Sequence, residues 1–336
     1  TRKLIMKTVV LAIAIATADA FSPIMDSGSV TSTSHTVPHL GNVKLVCDHS
    51  EKAAPKLYLE VDTAAWEALG QVMTGLDVSL PAPPDCPPFK HALVTYGIVS
   101  QTHPPWDGRQ FNGEKPGGYG QPHVDIHFMV KSIEEQEALT STCTTVDPGP
   151  TNSAGALIQC SETATDEATR KFFIEPPPDQ VTGFAQDTSF GNHAIIGHGL
   201  HLMPLSDLAP GGPAHCQSTG PEGSWVDCMN QFMGVVMGGD FVDQGCTCGP
   251  WTDGMTAILN VYNGEVLGNE VMPAIGIVRA LGSGALPNPY LEEYPTAGKY
   301  STSGYQPVAT YSYLNADAHI FRTGLVLASE YTTASA

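Results

Sequence analysis

No stretch of this 336-residue chain stays apolar over the roughly 20 positions that a membrane-spanning helix needs, which predicts a soluble protein with no membrane partner. Cations are scarce as well: 15 Lys and Arg stand against 34 Asp and Glu, a formal net charge of −19 at pH 7. A surface so short of positive charge repels phosphate, which argues against nucleic acid and anionic lipid as partners. No Asn-x-Ser/Thr sequon occurs, so N-glycosylation is not expected. Also missing are a GxSxG elbow, an HExxH helix, a Walker loop and a GxGxxG turn opening a helix. Their absence removes the commonest serine-hydrolase, zinc-protease and nucleotide-binding readings. Few windows keep a 3.6-residue apolar period, because 27 Pro and 34 Gly cut the chain into short segments.

The N-terminus, by contrast, carries a clear pattern. Lys3 and Lys7 precede an apolar run from Val9 to Ala16, and Ala18-Asp19-Ala20 fits a small-x-small cleavage site. Residues 1–20 therefore read as a signal peptide, and the chain as secreted or lodged in an organelle lumen. Cleavage would remove three cations and one anion, taking the formal charge from −19 to −21. Phe21 at the cut, followed by a Ser/Thr-bearing stretch free of Lys and Arg, resembles the transit junction of algal plastid proteins, so residues 21–39 are expected to be flexible or transit-like. Eight cysteines remain, an even count that suits disulfides in an exported chain. Connectivity is not deducible from spacing; proximity alone suggests Cys143 with Cys160 and Cys216 with Cys228.

The body reads as mainly β with minor helix. Strands are expected over Lys56 to Val61, Ala92 to Val99, His123 to Val130, Ala194 to Met203, Ala257 to Tyr262, Val266 to Met272 and Val308 to Leu314. Tyr262-Asn263-Gly264-Glu265 carries the Asn-Gly signature of a tight hairpin. Short helices are expected over Thr63 to Gly75, with a Thr cap, and over Ser132 to Thr140 and Asp166 to Arg170. Residues 209–254 are Gly-rich and hold four of the cysteines, as a disulfide-clamped insertion would. The expected organisation is one β-rich domain over 40–330, a compact β-barrel or β-sandwich, decorated by that insertion.

The densest chemistry lies at His123-Val124-Asp125-Ile126-His127. On a strand the three polar residues share one face while Val124, Ile126 and Phe128 face the other layer. Imidazole, carboxylate and imidazole are metal-ligand types, admitting zinc and equally manganese, iron or copper. A straight strand sets His123 and His127 about 13 Å apart, so sharing one ion requires a bend. A second His-rich run holds His198 and His201, which a strand would place on opposite faces; only one is expected to join, and His201 is preferred. Asp125 can ligate or orient an imidazole, and Glu270 can complete the set or act as general base.

These pieces are similar, in order, to the TTHB210-like (DUF5602) family of mostly bacterial exported proteins. Gly41 through Pro55 to Trp66 resembles the family's opening segment, and Pro88-Phe89-Lys90-His91 and Thr102-His103-Pro104-Pro105 its PFxH and GHxP pieces. The HxDxH stretch resembles its PHFDxHFY centre, Gly197-His198-Gly199-Leu200-His201 its MGxHW element, and Tyr262-Asn263-Gly264 with Glu270-Val271-Met272 its YxG…EPM element. The resemblance implies a compact, self-associating β-rich unit, hence a possible homo-oligomer, and favours His201 over His198 as the ligand. It implies no reaction, and the 209–254 insertion departs from the pattern. Together the expectation is a zinc-type metal on His123, His127 and His201, with Asp125 and Glu270 catalytic, in a lyase, hydratase or hydrolase acting on a small-molecule substrate. Carbonic-anhydrase-type hydration is one such chemistry. The alternative is a non-catalytic metal-binding or self-assembling structural protein.

Overall fold

Alternating apolar and polar side chains lay down two antiparallel sheets. The computed structural model describes residues 29–51, 54–69, 76–96, 123–141, 145–146, 157–158, 166–186, 194–205, 217–218, 246–247, 255–294 and 304–331. The first sheet has the spatial order β1 (Val30–Val37), β2 (Gly41–Asp48), β3 (Lys56–Asp62), β18 (Ile320–Tyr331), β17 (Gly304–Asn315) and β16 (Tyr290–Glu293). The second runs β4 (Leu76–Pro81), β5 (His91–Tyr96), β6 (Asp125–Met129), β15 (Glu265–Pro273), β14 (Met255–Tyr262), β11 (Gly199–Pro204), β10 (Ala194–Ile195), β8 (Leu157–Ile158) and β7 (Thr145–Val146). A short strand, β9 (Phe184–Gln186), also pairs with β11. The protein is thus mostly β and sandwich-like; of the two expected architectures the barrel is corrected, since among the described residues neither sheet closes on itself.

One apolar cluster lies between the sheets. Leu45, Leu57, Leu59 and Phe321 come from the first sheet, and Val94, Ile126, Phe128, Leu259 and Val271 from the second. All are almost fully buried, so truncating one of the aromatics to Ala costs about 3–5 kcal/mol. Trp66 of helix α1 (Thr63–Ala68) caps one end, its ring centroid 4.8 Å from that of Phe321. The cap of α1 is Asp62 rather than Thr63, because the Asp62 carboxylate accepts from the Ala64 and Ala65 amides. Helix α2 (Ile133–Glu137) opens with a Ser132–Glu135 capping box, and α3 (Glu167–Arg170) with Asp166. A fourth, α4 (Ile277–Ser283), has no counterpart in the sequence expectation.

Two further expectations change. Val30–Val37, grouped above with a flexible segment, is an edge strand, paired from Val30↔Asp48 to Val37↔Gly41. Its Val-Thr-Ser-Thr-Ser-His-Thr-Val sequence hid it, since an edge strand buries little and needs few apolar residues. The single strand expected over Ala194 to Met203 is split into β10 and β11 by a turn at Ile196–His198. The described disulfide joins Cys47 to Cys86, Cα atoms 5.9 Å apart. Both pairs suggested by proximity lie outside the described residues, as do residues 1–28 with the signal peptide. Most of the insertion does too; within it β12 (Gln217–Ser218) pairs with β13 (Cys246–Thr247). The Asn-Gly hairpin forms as expected: Tyr262 pairs with Glu265 across Asn263 at φ 52° and Gly264 at φ 77°.

Candidate metal centre

Strand register assembles the polar cluster. His127 of β6 pairs with Glu270 of β15, and His201 of β11 pairs with Asn260 of β14. Residues paired across antiparallel strands share a face, and Asn260 lies two positions from Ile258, the partner of Glu270. All four therefore project from the side of the second sheet turned away from the inter-sheet core. That side is also covered: His127 and Asn260 are 0 % exposed, Glu270 1 % and His201 5 %.

His198 arrives by a different route. Gly197 at φ 78° and Gly199 at φ 90° flank it, a backbone path that side-chain-bearing residues avoid. A Cβ on Gly199 would sit 2.4 Å from the Val261 carbonyl oxygen, so the turn is pressed against β14. The tight turn breaks strand alternation and swings the His198 ring to 4.3 Å from that of His127, centroid to centroid, and 6.0 Å from that of His201. One ring nitrogen from each of His127, His198 and His201 lies within 4.8 Å of the other two.

The hydrogen bonds around the cluster leave two nitrogens over. The Nδ1 of His127 faces the Asn260 Oδ1 at 3.3 Å and the Glu270 Oε2 at 3.5 Å. The Nδ1 of His201 lies 3.6 Å from the same carboxylate oxygen, toward which the Asn260 amide also points at 3.5 Å. The Nε2 atoms of His127 and His198 are buried with no hydrogen-bond partner among the described residues. Leaving a buried polar atom unsatisfied costs about 1–3 kcal/mol, so two of them side by side call for a ligand.

Electrostatics points the same way. Burial pushes His127 down to about 3, helped by the neighbouring His198 and opposed by Asp125 and Asn260. Burial alone brings His198 down to about 4. Glu270 is held well above the usual carboxylate range, first by burial and then by the charge of Asp125, with the Asn260 hydrogen bond opposing. Burial thus works against charge on His127, His198 and Glu270 alike. Neutral imidazoles keep their lone pairs free, which is the form that coordinates a metal.

The site residues expected from sequence are distributed as follows. His127, His201 and Glu270 meet in one cluster. Asp125 adjoins it, offering an oxygen within 4.8 Å of ligand atoms on His127 and Glu270. His123 stands apart: it forms an isolated bridge with Ala274 outside β6, and its Nε2 lies 3.1 Å from the Asp125 carboxylate. His198, set aside by the strand argument, enters the three-imidazole group. Its signal was local, a histidine between two glycines, which favours a turn over a continuous strand. Asn260 carried no such signal beyond being a polar residue in an apolar strand. A family-model scan and searches of curated proteins and of solved structures found no match to this chain.

Proposed function

We propose that this chain is an exported metalloprotein holding one zinc-type divalent ion on His127, His198 and His201. The carrying observation is the pair of buried Nε2 atoms, with no hydrogen-bond partner among the described residues, beside a third imidazole. Glu270 lies behind two of the three rings, where a carboxylate fixes the tautomer and raises ligand basicity. Three nitrogen ligands with one position left to solvent or substrate suit hydrolytic or lyase chemistry, in which the ion supplies Lewis acidity. In that reaction Glu270 and Asp125 hold and move the proton, and the substrate is a small molecule. Export rests on the Lys-flanked apolar N-terminus and the even cysteine count, with which the described disulfide agrees.

The burial of the whole cluster favours a second reading, a non-catalytic metal store or structural ion. Elemental analysis of protein purified without chelator tests the shared claim. About one zinc-type ion per chain is expected, lost in His127→Ala and His198→Ala. Metal-free protein whose melting is unmoved by added zinc would sink both readings. Hydrolase or hydratase turnover that disappears in Glu270→Gln with the ion retained selects the enzyme over the store.

A further inference from the structure

At the edge of the first sheet a second group of ligand-type atoms closes on a point. Cys47 of β2 and Cys86, in the turn after β4, are joined, and the Nε2 of His49 lies 3.1 Å from the Cys47 sulfur. All three residues are buried, at 0 %, 0 % and 4 % exposure. The same Nε2 donates to the Asp85 carbonyl oxygen at 3.1 Å, and the Asp85 carboxylate stands 3.7 Å away. Thr31 steadies that carboxylate with a hydrogen bond of 2.5 Å, and the Tyr305 hydroxyl meets the other ring nitrogen of His49 at 3.3 Å. A disulfide packed only for stability needs neither an imidazole on its sulfur nor a carboxylate beside it.

The geometry points to a redox-gated metal site: Cys47, Cys86 and His49, with Asp85 as fourth donor, bind a soft divalent ion once the disulfide is reduced. A dithiol reductant supplies the two electrons and two protons. Its own sulfurs join as a disulfide, the Cys47–Cys86 bond breaks, and both cysteines become thiols. Metal binding then releases both thiol protons to water, leaving two thiolates and a neutral imidazole as ligands. Tyr305 takes the second-sphere role, its hydroxyl accepting from Nδ1–H when Nε2 turns to the ion.

The backbone around the pair is fixed without the disulfide. Cys47 is paired on both sides, with Thr31 of β1 and Leu57 of β3. The Cys86 turn is closed by Cys86 N–H to the Pro83 oxygen and Phe89 N–H to the Cys86 oxygen, and Tyr305 N–H binds the Pro87 oxygen. Reduction therefore leaves the thiols adjacent, and metal–sulfur bonds of about 2.3 Å require them to part to only roughly 3.8 Å. The site is independent of the three-histidine centre, which among the described residues has no sulfur donor in its group.

The test uses the full chain, treated with dithiothreitol, desalted without oxygen and titrated with Co²⁺. One equivalent should bind with a sulfur-to-cobalt charge-transfer band that the oxidised protein lacks. Cys47→Ser and Cys86→Ser should each abolish the band, and His49→Ala should weaken the reduced protein's affinity at least about tenfold. No band in the reduced chain overturns the proposal, as does a band that survives in Cys47→Ser, which would place it on another cysteine. If reduction unfolds the chain, Co²⁺ must restore its circular dichroism; failure to do so also overturns it.

Discussion

The outward faces of the two sheets treat buried polarity in opposite ways. On the first sheet Glu60 receives Lys44 at 2.8 Å and Arg322 at 2.9 Å, and the Arg322 guanidinium lies over the Tyr58 and Tyr313 rings. Each of these three charges has a partner of opposite sign, and Arg322 an aromatic face as well, at the edge of solvent. On the second sheet Glu270 faces two imidazoles and an amide in a buried cluster, with two imidazole nitrogens left over among the described residues. The first arrangement is complete in itself and stabilises the fold. The second leaves donor atoms unmatched among the described residues, which the proposed ion would take up.

The largest effect that separates the two faces is expected at Gly199. Gly199→Ala places a side chain at φ 90° and drives its Cβ into the Val261 carbonyl, so the turn carrying His198 must shift. A loss of about 1–3 kcal/mol is expected in denaturant unfolding, together with a loss of metal occupancy. Unchanged occupancy would mean that His198 is not a ligand.

A smaller effect is expected at Glu60. Burial works against its charge, but hydrogen bonds and charge from Lys44 and Arg322 prevail and hold its carboxyl below the ordinary value. A depressed folded value contributes stability above the unfolded pKa of about 4.5 and loses it as pH falls through the folded value. Glu60→Gln should lower stability at pH 7 by under about 1 kcal/mol, since Lys44 is half exposed and water screens the pair. The difference between variant and parent should vanish in acid, and a difference that persists at pH 2 would contradict the charge explanation.

The smallest effect on the metal-free fold is expected at Glu270. Burial holds its carboxyl well above the ordinary carboxylate range, so the near-isosteric Glu270→Gln should leave metal-free melting within about 0.5 kcal/mol of the parent. The same change should cost about 10–100-fold in metal affinity, as the carboxylate behind the imidazoles is lost. A large destabilisation without metal would instead mark Glu270 as a structural member of the core.

Much of the architecture was legible because it depends on neighbours in sequence. Alternation in Lys56 to Val61 and the Asn263-Gly264 pair follow from pleating and from turn dihedrals, both local properties. The short helices beginning at Ser132 and Asp166 likewise depend on a few consecutive residues. The edge strand Val30–Val37 was hidden because its Thr and Ser residues gain their order from β2 and from Asp85, not from their own hydrophobicity. In the site, the face-sharing of Asp125 and His127 was readable, and His123 was set aside only by its place outside the β6 ladder.

By itself the sequence determined a β-rich chain short of cations, with imidazoles and carboxylates clustered at three points along it. The tertiary structure decided which of them meet. His127 and Asn260, 133 residues apart, come together through strand register, and His198 through two left-handed glycines. Cys47 found Cys86 because β1, β2 and the turn after β4 share one corner. Register between distant strands is fixed by how whole faces bury against each other, a free energy summed over the sheet rather than carried by any short segment, and so no local pattern contains it.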